Sequence, residues 1–244
     1  MSRLADWHAK PARWLPVVLS FLMAWPATGL AERATHMGQT ANALGSARPH
    51  AANFGAVTPS ADARRLADWV ASSNNSNSTT FVVIDKRSAV LYLFDGQAQL
   101  LATSPVLLGS ARGDDTVPGI GDRPISQVRP EERTTPAGRF VAERGRNARG
   151  EDVVWVDYDA AVSMHRVVTG NAAERRLERL ATSTPADNRI SYGCINLPVS
   201  FYESHIRPAF AHSTAIVYVL PEHATLEQIF GLPEDRRLTM NPAP

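Results

Sequence analysis

A succession of short apolar runs, each five to eleven residues long and closed by a turn signal, limits what this chain folds into. Residues 81–85, 89–94, 98–108, 139–143, 152–158, 161–168 and 214–220 are rich in Val, Ile, Leu and aromatics and read as strands. Asp95-Gly96 marks a hairpin between two of them. Helical patterns are fewer. Ser60 is a candidate N-cap for a helix over 59–70, with Leu66, Trp69 and Val70 on one face. Leu177, Leu180 and Ala181 share a face in 172–181, where the charged residues read as a solvated side. Pro198 opens a helix through Phe201, Tyr202 and Ile206, and 224–230 forms a short last one. The expected fold is mainly β with a few helices (α+β), closed by the strand 214–220.

The polar run 72–78 reads as a flexible spacer. It divides a linker with one short helix, 32–78, from a domain over 79–221, with a helix and tail over 222–244. Residues 1–31 form a secretory leader: Arg3, His8, Lys10 and Arg13, an apolar run over 14–25, and small residues at Gly29 and Ala31. Cleavage after Ala31 is expected; the alternative is an uncleaved anchor, although the run falls short of the ~20 residues a span requires. Export, with a periplasmic location, follows. With 44% hydrophobic residues and a net charge of +1, the chain has material for one sizeable core and no basic footprint for nucleic acid.

Cys194 is the single cysteine of 244 residues, in Ser191-Tyr192-Gly193-Cys194-Ile195-Asn196. It forms no internal disulfide and no multi-thiolate metal site. A lone cysteine is most often a small buried apolar group. An unpaired thiol in an exported chain, beside a glycine, points instead to a nucleophile. Gly193 leaves room for a substrate, and the N–H groups of Gly193 and Cys194 are candidate oxyanion donors. Such a thiol needs a base. His165, near the end of the strand 161–168, is the candidate, and the 29 positions between the two mean that only the fold joins them. Asp187 and Arg189 are weaker candidates for substrate contact. Phosphate-loop, dinucleotide and zinc motifs are absent from the sequence, so no metal and no cofactor are expected.

His165, the block Ser191, Gly193, Cys194, Ile195 and Asn196, and the turn Thr134-Thr135-Pro136-Ala137-Gly138-Arg139-Phe140 occur in one chain. In these motifs, residues 80–221 resemble the L,D-transpeptidases, the YkuD-type catalytic domain of cell-wall enzymes. The resemblance implies a YkuD-like β-sandwich, Cys194 as nucleophile and His165 as base. Ser191, Tyr192, Gly193 and Asn196 then shape the oxyanion and substrate site. The implied partners are peptidoglycan stem peptides, acylated through a thioester. Two features depart from the family: Tyr192 replaces the histidine before Gly-Cys, and the segment from His165 to Cys194 is longer by an inserted helix. Water as acceptor would make an L,D-carboxypeptidase or endopeptidase. A non-catalytic wall-binding relative is the alternative from another class.

Overall fold

In the central strands, apolar residues point to both faces, so a sheet built from them must be covered on both sides. The computed structural model describes residues 51–211 and 214–233; the leader, linker residues 32–50 and the tail from 234 lie outside the described residues. The strands are β1 (Phe81–Asp85), β2 (Val90–Phe94), β3 (Leu100–Pro105), β4 (Leu108–Gly109), β5 (Gly138–Arg146), β6 (Asp152–Asp157), β7 (Val162–Arg166), β8 (Arg189–Ser191), β9 (Ile195–Leu197) and β10 (Ala215–Val219). Eight form one sheet in the order β3-β2-β1-β10-β5-β6-β7-β9, and β4 pairs with β8. The sheet is mixed: β1 runs parallel to β10 and β7 to β9, while the other pairs are antiparallel. The fold is mainly β with few, short helices, as expected. The strand expected to close the sheet, β10, instead lies inside it between β1 and β5, which is why all five of its residues are buried.

Alternation along the strands splits the core in two. Val82, Ile84, Val217 and Val219 face one cluster, which a helical segment over 199–209 covers with Tyr202 and Ile206. Phe81, Val83, Ile216 and Tyr218 face the other, covered by α1 (Ala61–Ser73) with Ala63, Leu66, Ala67 and Val70. Burying each large side chain of α1 contributes about 1.5–3 kcal/mol. Although α1 lies in the 32–78 segment, its buried face packs on this side of the sheet. The spacer 72–78 is likewise structured. Asn74 ends α1 in the left-handed conformation, and Asn75 Oδ1 accepts hydrogen bonds from Arg139 Nε and the Tyr218 hydroxyl. Among the described residues, no helix is long and apolar enough to cross a membrane.

The long connection from β4 to β5 is tied down by a buried ionic cluster. Lys86, with no exposed surface, donates to Asp114 Oδ1 and to the carbonyls of Gly113 and Thr135. Asp114 also accepts the backbone N–H groups of Glu222, His223 and Ala224. Burial opposes the charge on Asp114, but those three N–H groups and Lys86 hold its carboxyl well below the usual carboxylate range. Glu222 binds Gly113 N–H and the guanidinium of Arg189. Arg189 is therefore engaged in this cluster, with 7% of its side chain exposed.

Candidate active site

The parallel pairing of β7 with β9 sets His165 opposite Asn196 and Met164 opposite Ile195. Cys194 immediately precedes β9, so one register brings the distant cysteine and histidine into one site. The end of β7 is fixed by Arg166, which pairs with Asp152 and Glu203 and stacks on the Tyr202 ring at 4.3 Å. Cys194 is half-buried and His165 nearly buried.

The turn carrying Cys194 is held from within. Ser191 Oγ donates to the Cys194 carbonyl at 2.6 Å and accepts the Gly193 N–H at 3.1 Å. Ser191 is thus a turn-shaping residue. The Gly193 N–H, expected as an oxyanion donor, is already engaged in the turn. Gly193 has φ +128°, and a Cβ there would lie 2.7 Å from the Thr134 carbonyl oxygen. The room left by the missing side chain is filled by the Thr-Pro-Ala-Gly turn rather than kept for substrate. That turn is bonded in place: Thr135 Oγ1 donates to the Gly193 carbonyl and accepts the Gly109 N–H.

Around the sulfur, Sγ lies 3.5 Å from the Ala161 carbonyl and 3.7 Å from Ser163 Oγ. Burial disfavours the thiolate. A hydrogen bond and charge interaction with His165, joined by the backbone and side chain of Ser163, outweigh burial, and the Cys194 thiol is held below its ordinary value. His165 Nδ1 is 2.7 Å from the Arg166 carbonyl, which only accepts, so Nδ1 carries a proton. Nε2 is left as the basic nitrogen. It lies 3.3 Å from Asn196 Nδ2, and Asn196 is fully buried.

Tyr192 is 40% exposed, with the Arg133 guanidinium 4.1 Å from its ring centroid. Arg133 Nε and Nη2 donate to the Val128 carbonyl, and no carboxylate among the described residues pairs with it. Asp187 lends its carbonyl to Arg179. Among the described residues, no cluster of three metal-ligating side chains occurs.

The segment 172–181 differs from the single helix expected there. A 3₁₀ turn, Ala172–Glu174, breaks at Arg175 with φ 48°, and α2 covers Arg176–Ala181. Leu180 is buried with Leu107 and Val167, while Leu177 is 59% exposed. Its basic side is not wholly solvated. Arg179 binds the carbonyls of Glu174 and Asp187, and Arg176 Nη1 donates to Asn196 Oδ1 at 2.6 Å.

The structure brings Cys194, His165, Gly193, Ser191 and Asn196 together with Thr135 of the 134–140 turn, and adds Ser163 and Arg176, which the sequence reading had not singled out. Ser163 carried a signal: two residues before His165 on a strand, it shares that face.

No family model matches the sequence, and no curated protein matches it. Solved structures do match. The NMR structure of the catalytic domain from E. faecium L,D-transpeptidase aligns at 15% identity and TM-score 0.33, over 59% of this chain and 98% of that one. The helical cell shape determining protein Pgp2 from Campylobacter jejuni aligns at 13% identity and TM-score 0.40, over 60% of this chain and 48% of that one. An L,D-transpeptidase from Mycobacterium smegmatis aligns at 14% identity and TM-score 0.35, over 58% of each chain. This chain thus spans nearly all of the first and about half of the other two.

Proposed function

We propose that this protein is an exported cysteine acyltransferase that works on peptidoglycan stem peptides as an L,D-transpeptidase. One observation carries the reading: Cys194 sits partly buried on a hydrogen-bonded turn, with its thiol held below its ordinary pKa by His165. The motifs around it supply the substrate class by resemblance. His165 Nε2 takes the thiol proton. The Cys194 thiolate attacks the carbonyl between an L-centre and a D-residue of the donor stem. The oxyanion meets the Cys194 N–H; the Gly193 N–H joins only if Ser191 Oγ releases it. The C–N bond breaks, the imidazolium proton passes to the leaving amine, and a thioester remains. An acceptor amine then attacks the thioester, gives its proton to His165 and expels the thiolate, restoring the pair. Arg133, paired with no carboxylate among the described residues, suits the carboxylates of an acidic stem peptide.

The test is intact mass of the full chain after incubation with a tetrapeptide-stem muropeptide, beside Cys194→Ala. The expected result is an acyl adduct on wild type alone, with products that have lost the terminal residue and gained an amine. Hydrolysed products would assign the carboxypeptidase reaction. Absence of adduct and product, where a control enzyme turns over, would overturn the proposal.

A further inference from the structure

The side-chain amide of Asn196 is held from outside the reacting pair. Arginine can only donate, so the 2.6 Å contact from Arg176 Nη1 identifies the amide atom facing it as Oδ1. The amide nitrogen must then face the other way. There it lies 3.3 Å from His165 Nε2 and 3.4 Å from the Cys194 carbonyl. A donor aimed at Nε2 requires a lone pair on that nitrogen. Nδ1 is protonated against the Arg166 carbonyl, so the chain of donors runs one way, from Arg176 through Asn196 and His165 to the backbone. Only the neutral imidazole, protonated on Nδ1, completes it.

Arg176 is built for this role. Only 12% of its side chain is exposed, and Glu174 both neutralises it and holds its Nε. It lies on the inserted segment, whose remaining anchors are Leu180 and Arg179. The charged and titratable groups around His165 are Cys194 before β9, Arg176 with Glu174 from the insertion, and Arg166 on its own strand, paired to Asp152 and Glu203.

We propose that Arg176 is a positioning residue that, by fixing the amide of Asn196, holds a donor against His165 Nε2 and so opposes protonation there. The segment 172–181 thereby acts on the proton equilibrium of the cysteine–histidine pair through Asn196. This rests on the reading of Cys194 and His165 as that pair, but not on the substrate. Without Arg176 the amide turns over, and Oδ1 accepts from the Nε2–H of an imidazolium.

The experiment follows the His165 Cε1–H resonance against pH in the full chain with Cys194→Ala, comparing Arg176→Met, Arg176→Lys and Asn196→Ala. Arg176→Met is expected to raise the His165 midpoint by about one unit, and Arg176→Lys, which keeps a donor, to stay near the parent value. In the Asn196→Ala background Arg176→Met should add nothing, since the two act in series. A midpoint unmoved by Arg176→Met overturns the proposal. So does an equal shift with and without Asn196, which would make Arg176 a distant charge only. If Arg176→Met fails to fold, Arg176→Lys against Asn196→Ala decides it: a Lys variant whose midpoint moves as far as the Ala variant's refutes the role. None of these readings needs a muropeptide, so failure here is separate from failure of the proposed reaction.

Discussion

Two polar clusters lie on either side of the Thr-Pro-Ala-Gly turn, and they are built on opposite plans. In the Lys86–Asp114–Glu222–Arg189 cluster, buried cations and anions face each other and backbone N–H groups cap the carboxylates. At Cys194 the residue is partly buried, and burial is opposed by His165 and Ser163 in setting the thiol's protonation. Thr135 joins the two, giving its carbonyl to Lys86 and its hydroxyl to Gly193. A closed set of charges has little left to offer a ligand and serves to fix geometry. A thiol balanced between burial and a base keeps a group available for reaction. Stability and reactivity should therefore respond to different substitutions.

The largest expected effect is on reactivity. His165→Ala should reduce turnover by about 10²–10⁴-fold. With the histidine gone only burial and Ser163 act on the thiol, so the midpoint of iodoacetamide labelling of Cys194 should rise from below the usual ~8.5 towards or beyond it. The melting temperature should hardly move. An unchanged midpoint would mean that His165 does not set the thiol, and the contrast with the buried cluster would fail. Asp114→Ala should do the reverse. It strands Lys86 in the interior and orphans three N–H groups, at about 3–5 kcal/mol, read by urea denaturation. The folded pKa of Asp114 is depressed, so its stabilisation is complete above ~4 and lost only as pH falls through the folded value. The gap between wild type and Asp114→Ala should therefore close on strong acidification. A gap that stays constant with pH would assign the loss to packing instead.

The strands were readable because valine, isoleucine and aromatic runs leave little alternative, and His165 and Cys194 because each stood in a recognisable local pattern. What escaped depended on contacts between distant segments. The apolar character of both Phe81 and Val82 implied a sheet covered on both faces, yet nothing local in 59–70, an expected packing helix, showed which face it covers. Gly193 was legible as a glycine that matters, but not what fills its space, because Thr134 is 59 positions away (193 − 134). Arg176 was hidden by its surroundings. In a string of alternating charges a solvated face is the ordinary expectation, and the left-handed break at Arg175 has no signal in an arginine.

The smallest expected effect concerns the margin between the two clusters. Arg133 stacks on Tyr192 and is held by the Val128 carbonyl, so its position does not depend on a substrate. A cation–π contact at an exposed ring contributes about 0.5–1 kcal/mol, so Arg133→Gln should lower stability only slightly. Its charge is a different matter. If it meets a stem carboxylate in ground state and transition state alike, Arg133→Gln raises KM several-fold, corresponding to ~1 kcal/mol, and leaves kcat alone. The thiol labelling midpoint should stay at its wild-type value, because Arg133 is absent from the groups that act on Cys194. A fall in kcat at constant KM would instead place Arg133 with the reacting atoms. Unchanged steady-state kinetics would reduce the Tyr192–Arg133 pair to packing on the rim.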